Sequence, residues 1–81
     1  MTRKHIVFSG SVQGVGFRYR ARHAADLYGC TGWVRNEWDG SVTMEIQGEE
    51  EAIDAGRYVE ILNMAVRTVE IDPDERSFRV R

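Results

Sequence analysis

The hydrophobic and polar positions change period several times along the chain, and each change predicts an element. Residues 5–12 (HIVFSGSV) are rich in β-branched and aromatic side chains and predict a strand. Two glycines within residues 13–16 interrupt it. Over residues 17–28 the apolar positions Phe17, Ala21, Ala24, Ala25 and Tyr28 recur at helical spacing, with Arg20, Arg22, His23 and Asp26 between them. Gly29 then predicts the helix stop. Residues 31–37 and 41–47 both predict strands. In the second, Val42, Met44 and Ile46 face one way and Thr43, Glu45 and Gln47 the other. Trp38-Asp39-Gly40 separates them, and Asp-Gly predicts a tight type I′ hairpin turn. Glu49, Glu50 and Glu51 suit the positive end of a helix, whose apolar stripe is Ala52, Ala55, Gly56, Val59 and Leu62. Residues 65–72 predict another strand, Pro73-Asp74 a turn, and residues 77–80 a short last strand.

The resulting order is β-α-β-β-α-β with a small extra strand at the end. That order predicts an α+β, ferredoxin-like two-layer sandwich, with two helices covering one face of an antiparallel sheet. Eighty-one residues make one domain over 1–81, too short for a dinucleotide-binding double-wound sheet or a barrel of alternating strands and helices. A chain that is 42% hydrophobic and 30% charged has the apolar content to fold into a core, unlike a disordered tail.

Charge narrows the partners. Eleven Lys+Arg against thirteen Asp+Glu give a net charge of −2, against the basic balance of a nucleic-acid binder. The third predicted strand, SVTMEIQ, also lacks aromatic residues on which bases would stack. The single cysteine, Cys30, makes no intramolecular disulfide and reads as a small core residue, in keeping with a reducing, cytoplasmic setting. His5 and His23 have no metal-ligand spacing, so no metal is expected. The N-terminal apolar run is three residues long, which predicts neither a signal peptide nor a membrane span. Without an obvious apolar seam, a monomer is expected.

Two segments carry candidate chemistry. Gly10-Ser11-Val12-Gln13-Gly14-Val15-Gly16-Phe17-Arg18 runs from a strand through a glycine loop into a helix. Unpaired N–H groups at a helix start, a backbone free to curl around an anion, and an arginine in the first turn together make a phosphate seat. The same glycines also fit a plain strand-to-helix turn with Arg18 in solvent. No Lys-Ser/Thr follows them, so this is not a nucleotide-triphosphate loop. The second segment is Gly32-Trp33-Val34-Arg35-Asn36, continuing through Gly40 and Val42 to Gly48. The Asn36 amide offers a donor and an acceptor with which to hold a water, or with which to bond local backbone at the hairpin end. Trp33 and Trp38 either line the mouth of such a site or pack on the sheet and hairpin.

Taken together, the pattern G-x-V-Q-G-V-x-F-R followed by G-W-V-x-N-x-x-x-G-x-V-x-x-x-x-x-G resembles the acylphosphatase family over residues 10–48. The resemblance implies a ferredoxin-like sandwich and hydrolysis of the carboxyl-phosphate anhydride of small-molecule acyl phosphates, without metal or cofactor. It also implies that Gln13, Gly14, Val15, Gly16, Phe17 and Arg18 bind the phosphate, and that Arg18 and Asn36 are catalytic, Asn36 positioning the water. Two departures stand outside these motifs. Asn63-Met64-Ala65-Val66 replaces the family's usual Gly-Pro, and the last strand ends in Phe78-Arg79-Val80-Arg81 rather than an aromatic residue. The alternative is an inactive anion-binding or interaction domain of the same fold.

Overall fold

The computed structural model describes residues 1–10, 13, 16–55 and 63–81. Seven elements follow in order: β1 (Thr2–Ser9), α1 (Phe17–Leu27), β2 (Thr31–Asn36), β3 (Val42–Gly48), α2 (Glu50–Ala55), β4 (Asn63–Val69) and β5 (Phe78–Val80). They form one five-stranded sheet in the order β4-β1-β3-β2-β5. β1 and β2 are each antiparallel to β3, which lies between them, so β1 and β2 run the same way, the split βαβ arrangement. The expectation of a wholly antiparallel sheet is corrected at one edge: β5 pairs with β2 in parallel. The cause is the long connector over residues 70–77. A tight hairpin forces neighbouring strands to be antiparallel, whereas this connector carries the chain from the β4 edge to the opposite one.

Strand alternation builds the core. Ile6 and Phe8 of β1, Val34 of β2 and Val42, Met44 and Ile46 of β3 all lie on the helix-covered face, and all are buried. Phe17, Ala21 and Ala25 of α1, Ile53 of α2 and Phe78 of β5 close over them. Phe8 and Phe17 meet edge to face with centroids 4.9 Å apart, which fixes the start of α1 against the end of β1. α1 ends in a Schellman turn: Cys30 N–H donates to Ala25 O, Gly29 N–H to Asp26 O, and Gly29 takes φ 72°. Gly29 is thus the stop that the pattern predicts. In α2 the apolar stripe is described only as far as Ala55; its later positions, Gly56, Val59 and Leu62, lie outside the described residues.

β1 starts earlier than its apolar run suggests, at Thr2, because Arg3 finds partners far along the chain. Its guanidinium donates to Glu45 at 2.9 Å, to Gln47 at 3.1 Å and to both Glu75 oxygens at 2.8 and 3.1 Å. Gln47 in turn bonds the backbone N–H and C=O of Asp72. These bonds clamp the 70–77 connector to the face of the sheet away from the helices.

The hairpin between β2 and β3 also differs in detail from the expected two-residue turn. Gly40 N–H donates to Glu37 O at 3.2 Å and Glu37 N–H to Ser41 O at 2.8 Å, leaving a three-residue loop of Trp38, Asp39 and Gly40. Asp39 Oδ1 accepts from the Ser41 N–H and hydroxyl, and Gly40, at φ 95°, closes the turn as its last residue rather than its second centre.

Candidate active site

In a split βαβ unit the crossover helix begins where the first strand ends, and the second parallel strand ends on that same side of the sheet. The start of α1, the C-terminal end of β1 and Asn36 at the end of β2 therefore share one edge. Strand alternation also puts Asn36, which pairs with Val42, on the helix-covered face beside Val34.

Gly16 caps α1 in a left-handed conformation, φ 73°, a geometry that favours glycine. The first helical bond runs from Arg20 N–H to Gly16 O. The N–H groups of Phe17, Arg18 and Tyr19 have no intrahelical acceptor, and among the described residues no side chain caps them. No acidic residue stands in the first turn to compete with an incoming anion. Arg18 is half-buried, and its Nη1 donates to the main-chain oxygen of Arg81 at 2.7 Å. Arg81 N–H in turn donates to Val34 O at 2.8 Å. A relay of two hydrogen bonds thus holds the Arg18 guanidinium beside β2, two residues before Asn36.

Gln13, which precedes the helix, is tied to the hairpin. Gln13 Nε2 donates to Glu37 O at 2.6 Å and to Ser41 O at 2.8 Å. Glu37 directly follows Asn36, so along the chain the asparagine sits between Val34, to which the Arg18 relay leads, and Glu37, to which Gln13 is bonded. Asn36 is half-buried, and among the described residues its carboxamide makes no protein hydrogen bond. The local backbone bonding considered for it is therefore not used.

Of the residues expected at the phosphate, Gly14 and Val15 lie outside the described residues. Gly16, Phe17 and Arg18 gather at the helix start, with the Phe17 side chain in the core and its backbone N–H at the turn. Gln13 is there too, but its side-chain nitrogen is taken up by the hairpin. Trp33 is on the opposite face, stacked by the Arg35 and Arg81 guanidinium groups at 5.0 and 4.8 Å, and so does not line this edge. Trp38 sits at the hairpin tip and is 99% exposed.

Gly32, in the second motif, has a backbone reason for its identity. At φ 143°, a Cβ there would overlap the carbonyl oxygen of Glu45. The residue that sequence reasoning missed is Arg81. Its main-chain oxygen accepts from Arg18, and no side-chain pattern signals a contact made by the main chain.

The acylphosphatase family model matches residues 4–80, nearly the whole chain. The chain belongs to the acylphosphatase family. The acylphosphatase of Geobacillus thermodenitrificans is 42% identical over 99% of this chain and 94% of its own. That of Bifidobacterium longum is 44% identical over 100% of this chain and 93% of its own. The crystal structure of acylphosphatase from Bacillus subtilis superposes with a TM-score of 0.89 at 28% identity, covering 100% of this chain and 99% of that one. These family relationships span the whole ferredoxin-like sandwich, including the departures after α2 and at β5.

Proposed function

We propose that this chain hydrolyses acyl phosphates to a carboxylate and inorganic phosphate. The observation that carries the proposal is the start of α1, which no side chain caps among the described residues, with Arg18 held beside it, on the sheet edge that also bears Asn36, whose amide makes no hydrogen bond among the described residues. Membership of the acylphosphatase family supports the same reaction.

In this scheme the phosphoryl oxygens are received by the N–H groups of the loop from Gln13 to Arg18 and by the Arg18 guanidinium, a fork suited to two phosphate oxygens. Asn36 accepts a hydrogen bond from a water and aims its lone pair at phosphorus, in line with the leaving oxygen. Phosphoryl transfer passes through a loose transition state with charge on the equatorial oxygens, so fixed donors do most of the work. The departing carboxylate has a conjugate acid of pKa about 4 and leaves without a general acid. Every role falls to protein donors, and a chelator is expected to leave turnover unchanged. The scheme takes residues 1–81 as one domain, acting as a monomer in the cytoplasm.

The test is purified protein with benzoyl phosphate, assayed with and without EDTA. Chelator-insensitive release of phosphate is the expected result. Binding of inorganic phosphate with no turnover would instead identify an anion-binding domain of the same fold.

A further inference from the structure

We propose that the Gln13 side chain is a positioning residue that locks the phosphate loop to the Asn36 hairpin, and that it does not itself hold the phosphate. This rests on the hydrolase reading given above and adds a role within that site.

The two acceptors of Gln13 are the carbonyls that close the β2–β3 hairpin. Ser41 O already receives Glu37 N–H, and Glu37 O already receives Gly40 N–H. Each carbonyl has a second lone pair, and one amide nitrogen carries two hydrogens, so the Gln13 NH₂ group can satisfy both at once. With both bonds made, Nε2 has no hydrogen left for a phosphate oxygen. The opposite amide orientation would set Oε1 against two carbonyl oxygens, which the bonding pattern excludes.

The mechanical consequence follows from where these bonds lie. Glu37 is the residue after Asn36, so Gln13 sets the distance between the backbone that receives phosphorus and the amide that holds the attacking oxygen. The relay from Arg18 through Arg81 to Val34 ties the other side of the loop to β2. A loop freed from the hairpin would still bind phosphate through its N–H groups while losing its alignment with the water. Misplacement by about 1 Å is enough to cost on the order of 100-fold in such reactions.

Three measurements decide it. In Gln13→Met, which keeps length but has no donor, kcat for benzoyl phosphate is expected to fall roughly 10- to 100-fold. Competitive inhibition by inorganic phosphate is expected to stay within about threefold. In Gln13→Glu, a carboxylate faces two carbonyls, whereas its protonated form donates one hydrogen bond. Facing acceptors raises such a carboxyl's pKa, so kcat of this variant is expected to recover as pH falls, a limb absent from the wild-type profile. Weakened phosphate inhibition with kcat preserved would overturn the proposal, as would wild-type kcat in both variants or a Gln13→Glu profile of wild-type shape. The third measurement uses the wild-type protein and needs neither turnover nor a folded variant. Both Gln13 Nε2 hydrogens should exchange with solvent more slowly in the folded protein than in the urea-unfolded chain. Unprotected exchange overturns the lock even if hydrolysis is confirmed, and protected exchange without hydrolysis would leave the lock intact while removing the reaction.

Discussion

Arg3 and Glu75, at the two ends of the chain, meet in a bidentate pair with both guanidinium–carboxylate bonds between 2.8 and 3.1 Å. Arg3 is 4% exposed, and Glu45 and Gln47 complete its shell. Glu75 lies in the connector that feeds β5, and the residue after β5 bonds Arg18. A structural ion pair on one face of the sheet is thus linked through β5 to Arg18, the arginine of the candidate site, on the other.

Removing one member of such a buried pair leaves the rest uncompensated, at a cost of about 3–5 kcal/mol. Arg3→Ala is therefore expected to lower the urea midpoint sharply. Arg3→Lys should recover only part of the loss, since an ammonium cannot match the planar fork. An unchanged midpoint in Arg3→Ala would show that the clamp adds nothing to the fold.

The same cluster sets the acid limb of stability. Burial pushes the Glu45 carboxyl up, but hydrogen bonds from His5 and Arg3, with the charge of Arg3, outweigh it and leave the group below its ordinary value. A carboxyl depressed in the folded state contributes its full stability above the unfolded pKa of about 4.3, and loses it as pH falls through the folded value. The thermal midpoint is expected to drop below about pH 4. Glu45→Gln should be less stable at neutral pH and show a flatter acid limb. A Glu45→Gln curve parallel to wild type down to acid pH would assign that limb to other carboxyls.

Arg18→Ala and Asn36→Ala are expected to lower kcat by roughly 10²- to 10³-fold, the usual loss when one preorganised donor is removed. Arg18→Lys should stay impaired because it keeps the charge and loses the fork. Neither position is in the core, so unfolding by urea should be little changed. Wild-type-like hydrolysis by either alanine variant would remove that residue from the mechanism.

Gly32→Ala should be among the most damaging single-methyl changes in the chain. The added Cβ meets backbone, the Glu45 carbonyl, which cannot swing aside as a side chain would, and the left-handed φ adds strain. Circular dichroism melts are the check; a wild-type melting temperature would mean that β2 shifts to accommodate the methyl group.

Cys30 is buried, and burial pushes its thiol above the usual range. It should react slowly with Ellman's reagent in the folded protein and rapidly in urea. Equal rates would indicate that the C-terminal end of α1 opens readily.

Much of this fold is legible as local pattern. The alternation in β3, the helical spacing in α1 and the Gly29 stop are each decided by neighbours within a few residues, and the structure keeps all three, except that Tyr28, the last position of the α1 stripe, is an exposed C-cap rather than a core residue. The helix start at Phe17 and the family motif around it are legible for the same reason, since their residues are consecutive. What the sequence hides is long-range. The polar start of β1 becomes a strand only because the partners of Arg3 come from β3 and the connector. The parallel pairing of β5 depends on a crossing whose direction no three-residue strand encodes. Gln13, expected at the phosphate, turns its amide to a hairpin more than twenty positions away.

The hold on Arg18 comes from a main-chain oxygen, which every amino acid supplies alike. Residue 81 is thus free to drift in type while the guanidinium keeps its anchor, provided that the last strand keeps its register. An insertion or deletion between Phe78 and Arg81 should therefore disturb the chemistry more than any replacement of the Arg81 side chain.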